Sequence, residues 1–106
     1  MSDRPKLKNL LAEIRAHIKA GTWLDTTHAV KRQQERHINR EDMLYVLETG
    51  FHEKRKDAYN NEVKTWNYAM RGKTVDMKEI RVVVSFDSAR LLIITVIPVG
   101  RGSRRP

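Results

Sequence analysis

Cysteine is absent from the 106 residues, which excludes disulfides, thiolate metal sites and cysteine nucleophiles. A reducing cytoplasm is the default compartment for such a chain. A secretory signal is also missing, because Met1-Ser2-Asp3-Arg4-Pro5 has no apolar segment behind it. The longest apolar run, Leu91 to Ile97, is too short to cross a bilayer. The expectation is a soluble, cytoplasmic protein with no membrane partner. No Walker loop, dinucleotide fingerprint, nucleophile elbow or EF-hand is present. Thr22, Thr26, Thr27 and Ser85 have no base beside them in a recognisable pattern, so serine-type hydrolysis has no support. The four histidines never fall at i, i+4, the spacing two ligands on one helix turn need, and neither a metal nor a cofactor is expected. There is no internal repeat.

What the chain has is positive charge. It carries 21 Lys and Arg against 13 Asp and Glu, a net +8. Neutralising phosphates releases condensed counterions, so such an excess points first to nucleic acid. Solubility alone, or an acidic protein partner, would also account for it. With 40% hydrophobic and 32% charged residues, the composition suits one globular domain with a modest core.

Leu7, Leu10, Leu11, Ile14 and Ile18 recur at helical spacing. Ser2 or Asp3 is placed to cap this helix and Gly21 to stop it, so residues 1–21 read as an amphipathic N-terminal helix. After a connector from Thr22 to Thr27, a second helix is expected over His28 to His37. A third opens at Asn39, with Asp42 completing a capping pair and Gly50 closing it. Phe51 to Tyr59 is polar and weakly patterned. The alternation from Val63 to Met70 predicts a strand, followed by a loop from Arg71 to Asp76. Ile80 to Phe86 and Leu91 to Ile97 form the clearest hairpin, turning at Asp87-Ser88. The expected architecture is α+β: about three helices, then a three- to four-stranded antiparallel sheet, with the core over residues 22–98. Residues 99–106 read as a disordered basic tail.

The second helix is unusual because its polar residues are ordered. At about 100° per residue, His28, Arg32, Glu35 and Arg36 share a face. Metal-free RNA cleavage needs a base for the 2′-hydroxyl, an acid for the leaving oxygen and cations for the charge growing on phosphorus. His28 suits either proton role, Arg32 and Arg36 suit the phosphate, and Glu35 can hold an arginine or act as a base. The same residues would also make an ordinary solvated helix with paired charges. Other nucleic-acid contacts are expected from the basic run Lys54, Arg55 and Lys56, and from Arg101, Arg104 and Arg105 in the tail. Trp66 and Tyr68, two apart on a strand, would stack bases on an open face or pack beneath a helix.

Thr27-His28-Ala29, Arg32, Glu35-Arg36, Ile38 and Glu41-Asp42 make a series, continued by Val46-Leu47, Gly50, Trp66, Tyr68 and Gly72. Ile80-Arg81-Val82-Val83-Val84 and Ile93-Ile94-Thr95-Val96 complete it. Together they resemble a bacterial family called domain of unknown function four-two-five-eight, over roughly Asp25 to Ile97. That family is distantly similar to RelE/ParE and BrnT-type toxins, small basic proteins of which many cut RNA without a metal. The resemblance implies a RelE-like fold and a site at His28, Arg32, Glu35 and Arg36. Thr95 matches a threonine the family often shows. It also implies RNA, with or without the ribosome, as target, and an acidic antitoxin as protein partner.

The leading expectation is therefore a toxin-type, metal-independent endoribonuclease. A non-catalytic RNA- or DNA-binding module is the second reading, and a protein-interaction domain, dimerising through an apolar stripe or sheet edge, is the third.

Overall fold

The computed structural model describes residues 6–99. Three helices, α1 (Leu10–Ala20), α2 (Thr27–Arg36) and α3 (Arg40–Thr49), precede most of a sheet. Its strands are β1 (Trp23–Asp25), β2 (Phe51–His52), β3 (Ala58–Asn60), β4 (Thr65–Lys73), β5 (Glu79–Phe86) and β6 (Leu91–Pro98). They run in the order β1-β6-β5-β4-β2, and β3 also pairs with β4. The fold is α+β, as the sequence indicates.

The sheet is larger than expected and mixed: six strands, with β1 parallel to β6 and the other pairs antiparallel. The additional strands β1, β2 and β3 are only two or three residues long, too short for an alternation to register. β2 and β3 share one edge of β4 and are separated by a 3-10 turn at Lys54–Lys56. The predicted loop after Met70 is instead more strand, since Arg71, Gly72 and Lys73 pair with Arg81, Ile80 and Glu79. Two stretches of backbone approach closely there: a Cβ on Gly72 would lie 3.1 Å from the Gly50 Cα.

One face of the sheet is dry. Tyr68, Met70, Ile80, Val82, Val84, Leu91, Ile93 and Val96 meet Leu10, Ile14, Ala29, Ile38, Met43, Val46 and Leu47 from the helices. Leu10 and Ile14 make α1 part of this single core rather than an appendage. The helix begins later than its apolar stripe suggests. Asn9 sits at the N-cap without a side-chain bond, and the Leu7 amide donates to the Tyr68 hydroxyl at 2.9 Å, which holds that segment across the sheet. The caps expected at Ser2 or Asp3 lie outside the described residues, as does the tail from residue 100.

The other ends follow sequence logic. Gly21, at φ 76, closes α1 in the left-handed region. The Thr26 hydroxyl accepts from the Ala29 amide and caps α2. Asn39 and Asp42 complete both halves of a capping box on α3. Asp87 accepts from the Ala89 and Arg90 amides and turns β5 into β6. Among the described residues no helix is long and apolar enough to cross a membrane.

Candidate functional site

β1 pairs with only the first residues of β6, Leu91 to Ile93. Beyond Asp25 the chain turns into α2, which continues along the edge of β6. The Thr26 hydroxyl donates to the Ile93 carbonyl at 2.9 Å, and Arg36 Nη1 donates to the Val96 carbonyl at 2.6 Å. Ala29 is the only fully buried residue of α2. The helix is thus fastened at both ends to a strand edge, with most of its polar surface in solvent.

His28, Arg32 and Glu35 form a chain on that surface. Arg32 Nε points to His28 Nε2 at 3.4 Å, a long contact that requires the ring nitrogen to keep its lone pair. Arg32 Nη1 donates to Glu35 Oε1. This hydrogen bond, helped by the charges of Arg32, Lys31 and Arg36, holds the Glu35 carboxyl below the usual carboxylate range. Glu35 is therefore suited to holding Arg32, and His28 is left as the group of the three able to take and return a proton. Arg36 is turned to the strand edge instead: its Nη1 donates to the Val96 carbonyl and anchors the end of α2 on β6. Thr95, half-buried on the same strand, pairs with Val83 opposite the helical face.

The other expected contacts are elsewhere. Lys54, Arg55 and Lys56 are exposed on the 3-10 turn beside β4, at the far edge of the sheet from α2. Three strand spacings separate that edge from β6, about 14 Å. The basic run and the α2 face are two separate positive features. Tyr68 is 3% exposed and belongs to the core, so it offers no open ring for a base. Trp66 is half-buried, edge-on to Tyr59 and covered by the Lys6 ammonium 4.8 Å from its ring centroid. Of the two alternatives for this pair, packing is the one found. Arg101, Arg104 and Arg105 lie outside the described residues.

Two further arginines, Arg71 and Arg81, face each other across β4 and β5, where like charges repel. Buried Glu53 resolves this by accepting from Arg81 Nε at 2.7 Å and Arg71 Nη1 at 3.0 Å. The Arg81 bond, and then the Arg71 bond, hold the Glu53 carboxyl below its usual range. Buried Asp57 ties the same edge, bonding His52 Nε2 at 2.8 Å, Lys6 Nζ at 2.9 Å and the Ala69 amide at 2.9 Å. His17 makes a local bond to Thr22, and His37 is the left-handed cap of α2. Among the described residues no three His, Asp or Glu side chains come together to hold a metal ion.

Sequence reading missed one arrangement. Asp25, at the end of β1, has a side chain only 4% exposed. Its Oδ2 accepts from Arg40 Nε at 3.2 Å and Gln33 Nε2 at 3.3 Å. The Arg40 guanidinium lies 5.4 Å from the Trp23 ring centroid. An acid closing a three-residue strand carries no periodic signal, and only the fold brings it to Arg40, fifteen positions on.

A family model described as "Domain of unknown function (DUF4258)" matches residues 26–98. The match begins at the cap of α2 and ends with β6, so α1 and β1 precede it. No curated protein and no solved structure matches the chain.

Proposed function

The chain belongs to the DUF4258 family of domains of unknown function, and from that premise we propose that it is a toxin-type, metal-independent endoribonuclease working from the exposed face of α2. The observation that carries this reading is the His28–Arg32–Glu35 chain. His28 takes the 2′-hydroxyl proton as O2′ attacks phosphorus, the P–O5′ bond breaks, and a 2′,3′-cyclic phosphate forms. The same imidazole is placed to return a proton to the leaving 5′-oxygen. Arg32, held by Glu35, meets the negative charge that builds on the phosphoryl oxygens. A likeness to RelE/ParE and BrnT-type toxins supports the same chemistry, with RNA in the cytoplasm as target and an acidic antitoxin as partner.

The test is incubation with single-stranded and structured RNA in EDTA, beside His28→Ala. Products ending in 2′,3′-cyclic phosphate, lost in the variant, are expected. Cleavage that survives His28→Ala overturns the assignment.

A second reading, RNA binding without cleavage, is favoured by one feature. The His28 face is the convex side of a helix, and Arg32 is already paired with Glu35. Salt-sensitive binding with no cleavage, on or off the ribosome, would select it.

A further inference from the structure

We infer that Arg40, lying over the Trp23 ring and tethered by buried Asp25, reads the O6/N7 edge of a guanine base in single-stranded RNA. The inference rests on RNA being the ligand, as proposed above, and adds a base specificity to it.

A guanidinium has five N–H donors in a rigid fork. In Arg40 the Nε–H is spent on Asp25 Oδ2, and the guanidinium carbon lies over the Trp23 ring, 5.4 Å from its centroid. Both Nη groups remain, with the side chain 58% exposed and no other partner among the described residues. An arginine tethered at Nε has already lost part of its freedom before the outer edge binds, and its two parallel Nη donors point away from the tether. They match a pair of acceptors side by side.

Phosphate and guanine both offer such a pair, and the surrounding charge decides between them. Asp25 lies directly behind Arg40 and neutralises it. Glu41 and Asp42 occupy the first turn of α3 beside it. An anion gains little where the local charge is balanced. An uncharged acceptor pair keeps both hydrogen bonds without that repulsion, and guanine O6 and N7 are such a pair.

The space also suits a base. A shallow, open depression of about 350 Å³ lies at the α2–α3 corner, lined by Gln33, Gln34, His37, Ile38, Asn39 and Arg40. Its lining holds no carboxylate: amide, imidazole and guanidinium groups surround the buried side chain of Ile38. Gln33, which fixes Asp25 from α2, lies about 140° around the helix from His28. The depression therefore lies on the other flank of α2 from the proton-transfer face. A strand crossing the helix, about 10–12 Å wide, meets both.

The experiment measures binding of hexaribouridylates carrying one central substitution to the full chain with His28→Ala, so that RNA stays intact. Guanosine and inosine, which both keep O6 and N7, are expected to bind alike. Adenosine, which replaces O6 by an amino group, and 7-deazaguanosine, which lacks N7, are expected to bind about tenfold more weakly. Arg40→Lys keeps the charge and the Asp25 pairing but not the fork, so it removes the difference while leaving the melting temperature nearly unchanged. Equal binding of all four bases, a preference that survives Arg40→Lys, or no binding at all overturns the inference. Failure of the His28-bearing chain to cut RNA bears on the ribonuclease reading alone, because base preference is read from binding. Cleavage without base preference leaves that reading standing and removes this one.

Discussion

At the scale of single residues, exposure separates chemistry from stability. Among the described residues the exposed His28 ring bonds only Arg32, and on its proposed proton role His28→Ala is expected to cut RNA cleavage at least ~100-fold. Its melting temperature should move little, because surface changes stay within about 0.5 kcal/mol. Cleavage assays beside thermal melts check both. Arg36 should behave oppositely. Arg36→Met removes the donor to the Val96 carbonyl and is expected to cost about 1–3 kcal/mol in chemical denaturation. Cleavage per folded molecule should fall far less than for His28→Ala. The sequence placed Arg36 with His28, because helical periodicity tells which residues share a side and not which carbonyl waits beneath them. Tyr68 shows the same limit, since strand alternation assigns a face without saying whether it is covered, and the covered alternative is the one the structure has.

At the scale of elements, the long segments were legible and the short ones were not. The Asn39–Asp42 box, the Gly50 stop and the β5–β6 hairpin carry local signals strong enough to read directly. β2 and β3 do not, because their edge is held by Glu53 and Asp57, charged residues whose burial depends on partners far along the chain. Gly50 illustrates the limit of local reasoning. It closes α3, yet its backbone is extended at φ −82 and the reason for glycine is crowding. A Cβ there would come within 2.4 Å of the Arg71 carbonyl oxygen and 2.7 Å of that of Val46. Gly50→Ala is therefore expected to destabilise by about 1–3 kcal/mol or more, as overpacking does. A denaturation midpoint equal to wild type would show that α3 and β4 can separate without strain. The cap of α2 gives a milder case: Thr26→Ala loses the bond to Ala29 and the one to Ile93, and a loss of about 1–2 kcal/mol is expected.

At the scale of the molecule, two edges of one sheet carry different duties. Replacing Lys54, Arg55 and Lys56 together by alanine should leave cleavage of a tetranucleotide unchanged and weaken binding only of RNA long enough to span the roughly 14 Å between edges. Equal weakening for short and long RNA would place both features in one site. The same far edge sets the response to acid. The folded-state pKa of Glu53 lies below its unfolded value, so its stabilisation is complete above about pH 4.3 and disappears as pH falls through the folded value. Glu53→Gln, which removes the carboxylate facing Arg81 and leaves Arg71 with Glu79 alone, should lower stability by about 3 kcal/mol at pH 7. The gap from wild type should narrow in melts as the pH is taken below about 4.3. The parallel pairing of β1 with β6 has a consequence in time. Thr26 meets Ile93 across 67 positions of chain, and Arg36 meets Val96 across 60. At a synthesis rate of about 5–20 residues per second, those partners emerge roughly 3–13 s after the helix they anchor. A nascent chain on the ribosome thus carries His28 and Arg32 for seconds before the strand that seats them exists, and the proposed activity against RNA waits for β6 to be made.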